Sequence, residues 1–116
     1  MNYFDHERLD VYGAAIDFVA VADDIVERLP RGRGYLADQL QRAATSVALN
    51  IAEGAGEFSP PEKARFYRMA KRSATESAAV LDVVRRLELG AETALDRGRE
   101  LLLRIVSMLT KMARNS

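Results

Sequence analysis

The chain has 116 residues, and its 17 basic and 17 acidic side chains balance to a formal net charge of zero, while 48% of its residues are hydrophobic. This size and composition are typical of a single folded domain with its own core and exclude a disordered chain. Because the chain has no cysteine and only one histidine, we expect neither a disulfide framework nor a metal or cofactor centre.

Breaks rich in proline and glycine divide the chain into four segments, each with helical hydrophobic spacing and none with the alternation of a strand. The spacing predicts helices over residues 8–29, 35–53, 60–88 and 92–113. Four helices with short connections predict an all-α protein, an up-down-up-down antiparallel four-helix bundle that occupies residues 1–116.

The first predicted helix carries two adjacent apolar stripes, which together form a face wider than a bundle core needs. One stripe consists of Leu9, Tyr12, Ile16, Val19 and Val26. The other consists of Val11, Ala15, Phe18, Ala22, Ile25 and Leu29. We therefore expect part of this face to be buried between subunits.

The ends of the second and third helices carry local signals. Gly54 occupies the position of a glycine that stops a helix, which predicts an end at Glu53. Ser59 is predicted to cap the third helix, with Pro60 in its first turn and Glu62 placed for a capping box. The predicted buried seam of the third helix consists of Phe66, Ala70, Ser73, Ser77, Val80, Val84 and Leu87.

Polar side chains recur at helical spacing on the second and third helices. On the second helix, Gln39 lies on the same face as Arg42, Ser46, Asn50 and Glu53. We assign six residues to a structural polar network: Arg42, Ser46, Asn50, Glu53, Ser73 and Glu76. One interpretation is a solvated face with weak surface ion pairs. The other is a hydrogen-bonded network at a contact between helices or subunits. Catalysis by Glu53 and Glu76 is disfavoured because no histidine or cysteine accompanies them.

The zero net charge conceals an uneven distribution. Residues 1–30 hold 2 basic and 7 acidic side chains, residues 31–73 hold 8 and 4, and residues 74–116 hold 7 and 6. The candidate nucleic-acid contacts in the basic middle are Arg31, Arg33, Lys63, Arg65, Arg68, Lys71 and Arg72. The same cations are equally suited to meeting the acidic first helix of a neighbouring subunit, at Asp17, Asp23, Asp24 and Glu27.

The start of the chain, Met1 to Asp10, is polar and acidic, unlike a signal peptide. The longest apolar stretch, Val11 to Ala22, contains Asp17 and is shorter than the roughly 20 residues of a membrane-spanning helix. We therefore expect a cytoplasmic protein without membrane association.

Three segments carry a family resemblance, in the expected order and spacing from about Phe4 to Met112. They are Leu9-Asp-Val11-Tyr12, the stretch from Gln39 to Gly54 that ends in Asn50-Ile51-Ala52-Glu53-Gly54, and the stretch from Phe66 to Glu76. They resemble the opening, the hallmark segment and the third-helix motif of the four-helix bundle family known as 23S rRNA intervening-sequence proteins. Ser77 to Ala79 depart from the larger or charged residues frequent in that family, which affects packing of the third helix.

The resemblance implies a small bacterial four-helix bundle that assembles as a homopentameric ring and whose biochemical function is generally unassigned. Some members are encoded inside insertions in large-subunit rRNA genes. A related branch, the accessory proteins of diversity-generating retroelements, resembles pentameric barrels that bind reverse transcriptase and nucleic acid through basic surfaces. By this resemblance Arg42, Asn50, Glu53, Ser73 and Glu76 match polar family positions, which we interpret as structural or assembly residues.

These observations lead us to expect a non-enzymatic oligomer that binds RNA, DNA or a nucleoprotein partner through a basic surface, with no small-molecule substrate. The alternative is a scaffold module that self-assembles and binds only protein partners. We also expect Glu53→Ala to disrupt folding or assembly more than the same change at a surface glutamate.

Overall fold

The computed structural model describes residues 2–116. Its elements are a short 3-10 helix, Asp5–Arg8, and four α-helices, α1 Asp10–Glu27, α2 Gly34–Ala55, α3 Pro60–Arg86 and α4 Glu92–Arg114. Residues 2–116 contain no strand. The prediction of an all-α protein with four helices is confirmed, and α1 is shorter than predicted by two residues at each end.

The four helices pack as a bundle. Each helix contacts its neighbours in sequence, and α1 also contacts α4. Gln39 on α2 is hydrogen-bonded to Glu76 on α3, whereas Gly54 at the other end of α2 lies against Tyr67, so these two helices run antiparallel. Contacts of Arg85 with Asp96 and of Leu81 with Gly98 orient α3 and α4 in the same way. The packing is compatible with the predicted up-down-up-down order.

The core uses one of the two apolar stripes of α1. Its buried members are Val11, Ala15, Phe18, Ala22 and Ile25. Of the other stripe, Leu9, Tyr12, Val19 and Val26 are half-buried and Ile16 is 45% exposed. The second stripe is therefore only partly covered within a single chain.

The start of α3 has the predicted Ser59 cap but not the full capping box, because Glu62 pairs with Arg65 and no hydrogen bond within residues 2–116 joins its side chain to the Ser59 backbone. The buried face of α3 also differs from the predicted seam. Ser59 Oγ accepts a hydrogen bond from the backbone N–H of Glu62 at 3.4 Å, and proline occupies the first turn. The buried set includes Tyr67, Ala74 and Leu81, which the predicted seam omits. Two members of that seam, Phe66 and Ser73, are only half-buried, and Leu87 is exposed. The reason is that α3 packs against both α2 and α4, which requires a broader apolar arc than one stripe.

The prediction that Gly54 terminates α2 is wrong. The helix continues through Gly54 to Ala55, and Gly56 follows as its C-cap. Lys63 Nζ donates hydrogen bonds to the carbonyl oxygens of Gly54 and Ala55 at 3.2 and 3.0 Å. Because terminal carbonyls of a helix lack partners within it, this side chain from α3 stabilises the final turn of α2.

Candidate interaction surface on α2 and α3

A row of polar side chains follows the contact between α2 and α3. Gln39 Nε2 donates to Glu76 Oε2 at 3.1 Å. Ser46 Oγ and Ser73 Oγ lie 2.9 Å apart and share one hydrogen bond. Asn50 Nδ2 donates to both the carbonyl oxygen and Oγ of Ser46, each at 2.9 Å. We call these five residues the polar seam. Helical spacing on α2 produces it, because residues 39, 46 and 50 share one face.

Two further members of the predicted network lie beside the seam without joining it. Arg42 and Glu53 are exposed, and neither forms a side-chain hydrogen bond or ion pair with any of residues 2–116. Together with Phe66 and Leu49, which is 61% exposed, they line an open groove on one side of the seam. This groove is therefore lined by apolar, polar and charged side chains together.

The groove on the other side of the seam is lined by cations. Arg68, Lys71 and Arg72 line it together with the polar residues Ser46, Asn50 and Ser73. The rest of the lining is Met69, Thr75 and Glu76, whose carboxylate accepts a hydrogen bond from Gln39. None of the three cations forms an ion pair with a carboxylate in residues 2–116. They lie three and four positions apart on α3, a spacing at which like charges repel. We call Arg68, Lys71 and Arg72 the cation cluster.

Two other predicted basic contacts are engaged within the chain. Arg65 Nε pairs with Glu62 Oε2 at 2.7 Å, and its guanidinium lies over the ring of Phe66, 4.6 Å from the centroid. Lys63 holds the carbonyl end of α2, as described above. Both residues therefore have a structural contact in addition to any role at the surface.

The remaining two, Arg31 and Arg33, lie in the connection between α1 and α2. Arg33 donates from a terminal guanidinium nitrogen to the hydroxyl of Tyr35 at 2.8 Å. Along α2, the twelve-residue separation between Gly34 and Ser46 corresponds to about 18 Å. The seven predicted contacts thus form two groups, and of the five on α3 only Arg68, Lys71 and Arg72 line the groove at the polar seam.

Glu53 and Glu76 do not meet. Glu76 is bonded to Gln39, and fourteen helical positions separate Gln39 from Glu53, which corresponds to about 21 Å along the axis. Within residues 2–116 no group of three His, Asp or Glu side chains is placed to bind a metal ion. The surface therefore combines hydrogen-bonding groups and cations with the separated carboxylates Glu53 and Glu76.

Tyr67 is a buried residue of this region that the sequence reasoning missed. Its ring packs against Gly54 on α2, and burial raises the pKa of its phenol above the ordinary value of 10.0. The glycine was the available signal, since a glycine near a helix end also marks a site of close approach by a partner helix.

Comparison of the sequence with known families places this geometry in context. The model of the family described as 23S rRNA-intervening sequence protein matches residues 7–111. The chain belongs to this family. The matched range includes the whole of α1, α2 and α3 and most of α4, so the polar seam and the cation cluster lie within it. The search of curated proteins found no significant match.

None of the helices in residues 2–116 combines the length and apolar character that a membrane-spanning segment needs.

Proposed function

We propose that this family member is a non-enzymatic, self-assembling protein that binds nucleic acid, alone or in a nucleoprotein partner, through the surface of α3. The observation that carries the proposal is the cation cluster. Arg68, Lys71 and Arg72 lie within about one helical turn, border one groove and have no carboxylate partner within residues 2–116.

Phosphate groups would complete this arrangement. Three neighbouring cations repel one another, and a bound polyanion would neutralise that repulsion while releasing its own counterions. The hydroxyl and amide groups of the polar seam add hydrogen-bonding capacity directly beside the cations. The arrangement supports recognition of a sugar–phosphate backbone.

A fluorescence anisotropy titration with labelled RNA and DNA between about 50 and 200 mM salt tests the proposal. We expect affinity to fall steeply with salt. Replacing the whole cation cluster with glutamine should reduce the slope of log Kd against log salt by about 2 for a single strand.

The matched control replaces three exposed arginines of α4 with glutamine, namely Arg97, Arg99 and Arg104. These substitutions remove the same amount of charge as those in the cation cluster, but the residues do not line the α2–α3 groove. Failure of the wild type to bind RNA or DNA at low salt would refute the proposal. An equal loss of binding in the control would show that the groove has no special role.

Self-assembly is the second part of the proposal. It is supported by large apolar side chains that remain exposed in the single chain, among them Ile16 at 45%, Leu49 at 61% and Leu103 at 59%. The homopentameric ring implied by the resemblance is the assembly we propose. Light scattering after size exclusion measures the mass, and a 12.9 kDa particle at all concentrations would contradict it.

The scaffold alternative also has a specific observation in its favour. Four carboxylates are exposed on α1, namely those of Asp17, Asp23, Asp24 and Glu27. Of these four, only Asp24 forms an ion pair within residues 2–116, with Arg28 at 3.2 Å. In this alternative the α1 carboxylates of one subunit meet the cation cluster of another. The glutamine variant of the cluster would then dissociate the oligomer, whereas nucleic-acid binding predicts an unchanged mass.

A further inference from the structure

The polar seam leaves hydrogen-bonding capacity unused beside the cation cluster. The carbonyl oxygen of Ser46 only accepts hydrogen bonds, so its partner on Asn50 is the NH2 group. The same NH2 group also donates to Ser46 Oγ. Asn50 Oδ1 has no partner within residues 2–116, yet no unpartnered side-chain oxygen or nitrogen in that range is buried. Asn50 Oδ1 is therefore an acceptor that a ligand can reach.

The two serine hydroxyls leave one donor unused. Each hydroxyl has one hydrogen, and the bond between Ser46 Oγ and Ser73 Oγ uses only one of the two. Asn50 contributes a donor to Ser46 Oγ and so consumes no hydroxyl hydrogen. Whichever serine donates to the other, one O–H remains for an outside acceptor.

We propose that this groove binds RNA in preference to DNA, with a ribose 2′-hydroxyl on the polar seam and a backbone phosphate on the cation cluster. A 2′-hydroxyl both donates and accepts, so it matches the acceptor on Asn50 and the remaining donor on Ser46 or Ser73. Deoxyribose has only hydrogens at C2′ and so lacks the group that would meet both atoms. The inference rests on the proposed function, because it assigns the nucleic acid that the α3 surface binds.

The groove contains the two kinds of group side by side. Ser46, Asn50 and Ser73 line it together with Arg68, Lys71 and Arg72. The cations bind any phosphate backbone and carry no preference between RNA and DNA. The preference resides in the seam, so the two contributions are separable by mutation.

The test measures fluorescence anisotropy at low salt with three labelled uridine oligonucleotides of about 12 nucleotides, a length typical of single-strand binding sites. The three have a ribose, a 2′-deoxyribose or a 2′-fluororibose backbone. The fluoro sugar favours the ribose pucker but cannot donate a hydrogen bond, which separates sugar shape from hydroxyl recognition. We expect the ribose form to bind about fivefold more tightly than both others, the difference that one to two net hydrogen bonds supply.

Three variants complete the design. The double variant Ser46→Ala with Ser73→Ala removes both hydroxyls, and so the donor, but it leaves Asn50 Oδ1 as an acceptor. It should therefore reduce the ribose preference without abolishing it, and adding Asn50→Ala should lower ribose affinity to that of the deoxy form. Arg68→Gln should weaken all three oligonucleotides by the same factor. Circular dichroism melting verifies that the variants fold. If the double variant does not fold, Asn50→Ala alone removes the acceptor of the polar seam instead.

The outcomes separate the two proposals. Equal binding of the three oligonucleotides by the wild type, or a ribose preference that survives removal of the seam groups, overturns the RNA assignment and leaves nucleic-acid binding intact. Binding to none of them at low salt overturns the proposed function and the RNA assignment together.

Discussion

Gly54 sets how closely α2 and α3 approach. A Cβ atom at this position would lie 2.7 and 2.9 Å from Cε1 and Cδ1 of Tyr67 and 3.1 Å from Cβ of Phe66. Tyr67 is buried, so its ring has little room to move away. The residue is inside a helix, and its role is therefore the close contact rather than a special backbone conformation.

We expect Gly54→Ala to destabilise the protein by about 1–3 kcal/mol, because the added methyl group overpacks the contact with Tyr67. Chemical denaturation measures this change. Gly13→Ala is the matched control, since Gly13 is also helical and nothing lies within 4 Å of an added Cβ. The control should gain up to about 1 kcal/mol from its higher helix propensity. Two changes of the same sign would contradict the role assigned to Gly54.

The buried phenol of Tyr67 leads to a prediction about how folding stability depends on pH. Burial raises its pKa above the ordinary 10.0, so the folded state holds the phenolic proton at pH values where the unfolded chain has begun to release it. The contribution of Tyr67 to folding stability is therefore fully present below the ordinary pKa of 10.0 and is lost as pH rises through the folded pKa. Unfolding measured from about pH 8 to about pH 11 should show this loss in the wild type. Tyr67→Phe should show a smaller loss, and an identical pH profile would refute the assignment.

Along α3, the arrangement of charge opposes the stability of the isolated chain. Arg68 stands three positions before Lys71 and four before Arg72, and none of them has a carboxylate partner within residues 2–116. Arg65 on the same helix is instead paired with Glu62 at 2.7 Å. The same helix thus carries a cation with a carboxylate partner and cations without one, so their effects on stability can be compared directly.

We expect replacement of the cation cluster by glutamine to raise the free energy of unfolding by about 0.5 kcal/mol at low salt, because repulsion between like charges is removed. The gain should shrink as salt screens the charges. Arg65→Gln is the control and should give no gain, since it loses its ion pair and its contact with the ring of Phe66. Urea denaturation at two salt concentrations measures both variants. A gain independent of salt would exclude repulsion as its cause.

For the molecule as a whole, the net charge of zero conceals two surfaces of opposite charge, an acidic one on α1 and a basic one on α3. The acidic side chains concentrated on α1 and the cations of α3 belong to different helices of the bundle. Exposed apolar groups occur beside the acidic residues, at Ile16, and in the groove across the polar seam from the cation cluster, at Leu49. We assign contacts between subunits to these apolar groups and binding of a polyanion to the cation cluster.

Glu53 allows the assembly proposal to be tested apart from folding. It is exposed and has no side-chain partner within residues 2–116, so we expect Glu53→Ala to lower the oligomer mass while helix content is retained. Light scattering and circular dichroism provide the two measurements. Glu100→Ala on α4 is the control, because that exposed glutamate also forms no ion pair within the described residues. Equal masses for the two variants would argue against a role of Glu53 in assembly.

Much of the fold was predictable because helical signals are local. The hydrophobic period, the breaks and the Ser59 cap indicated four helices without knowledge of any partner. The polar face of α2 was equally readable from the spacing of Gln39, Ser46 and Asn50. The role of Gly54 was misread, since the same residue type serves as a helix stop and as a contact point, and only Tyr67 on another helix distinguishes them.

The sequence by itself determined the helices, the family and the polar and basic character of α2 and α3, because these depend on residue type and periodicity within one segment. Tertiary structure alone decided which α1 stripe enters the core, that Ser46 meets Ser73, and that Arg31 and Arg33 lie away from the cation cluster. The physical reason is register. Contacts between helices depend on how two segments align in space, and no periodicity within either segment encodes that alignment.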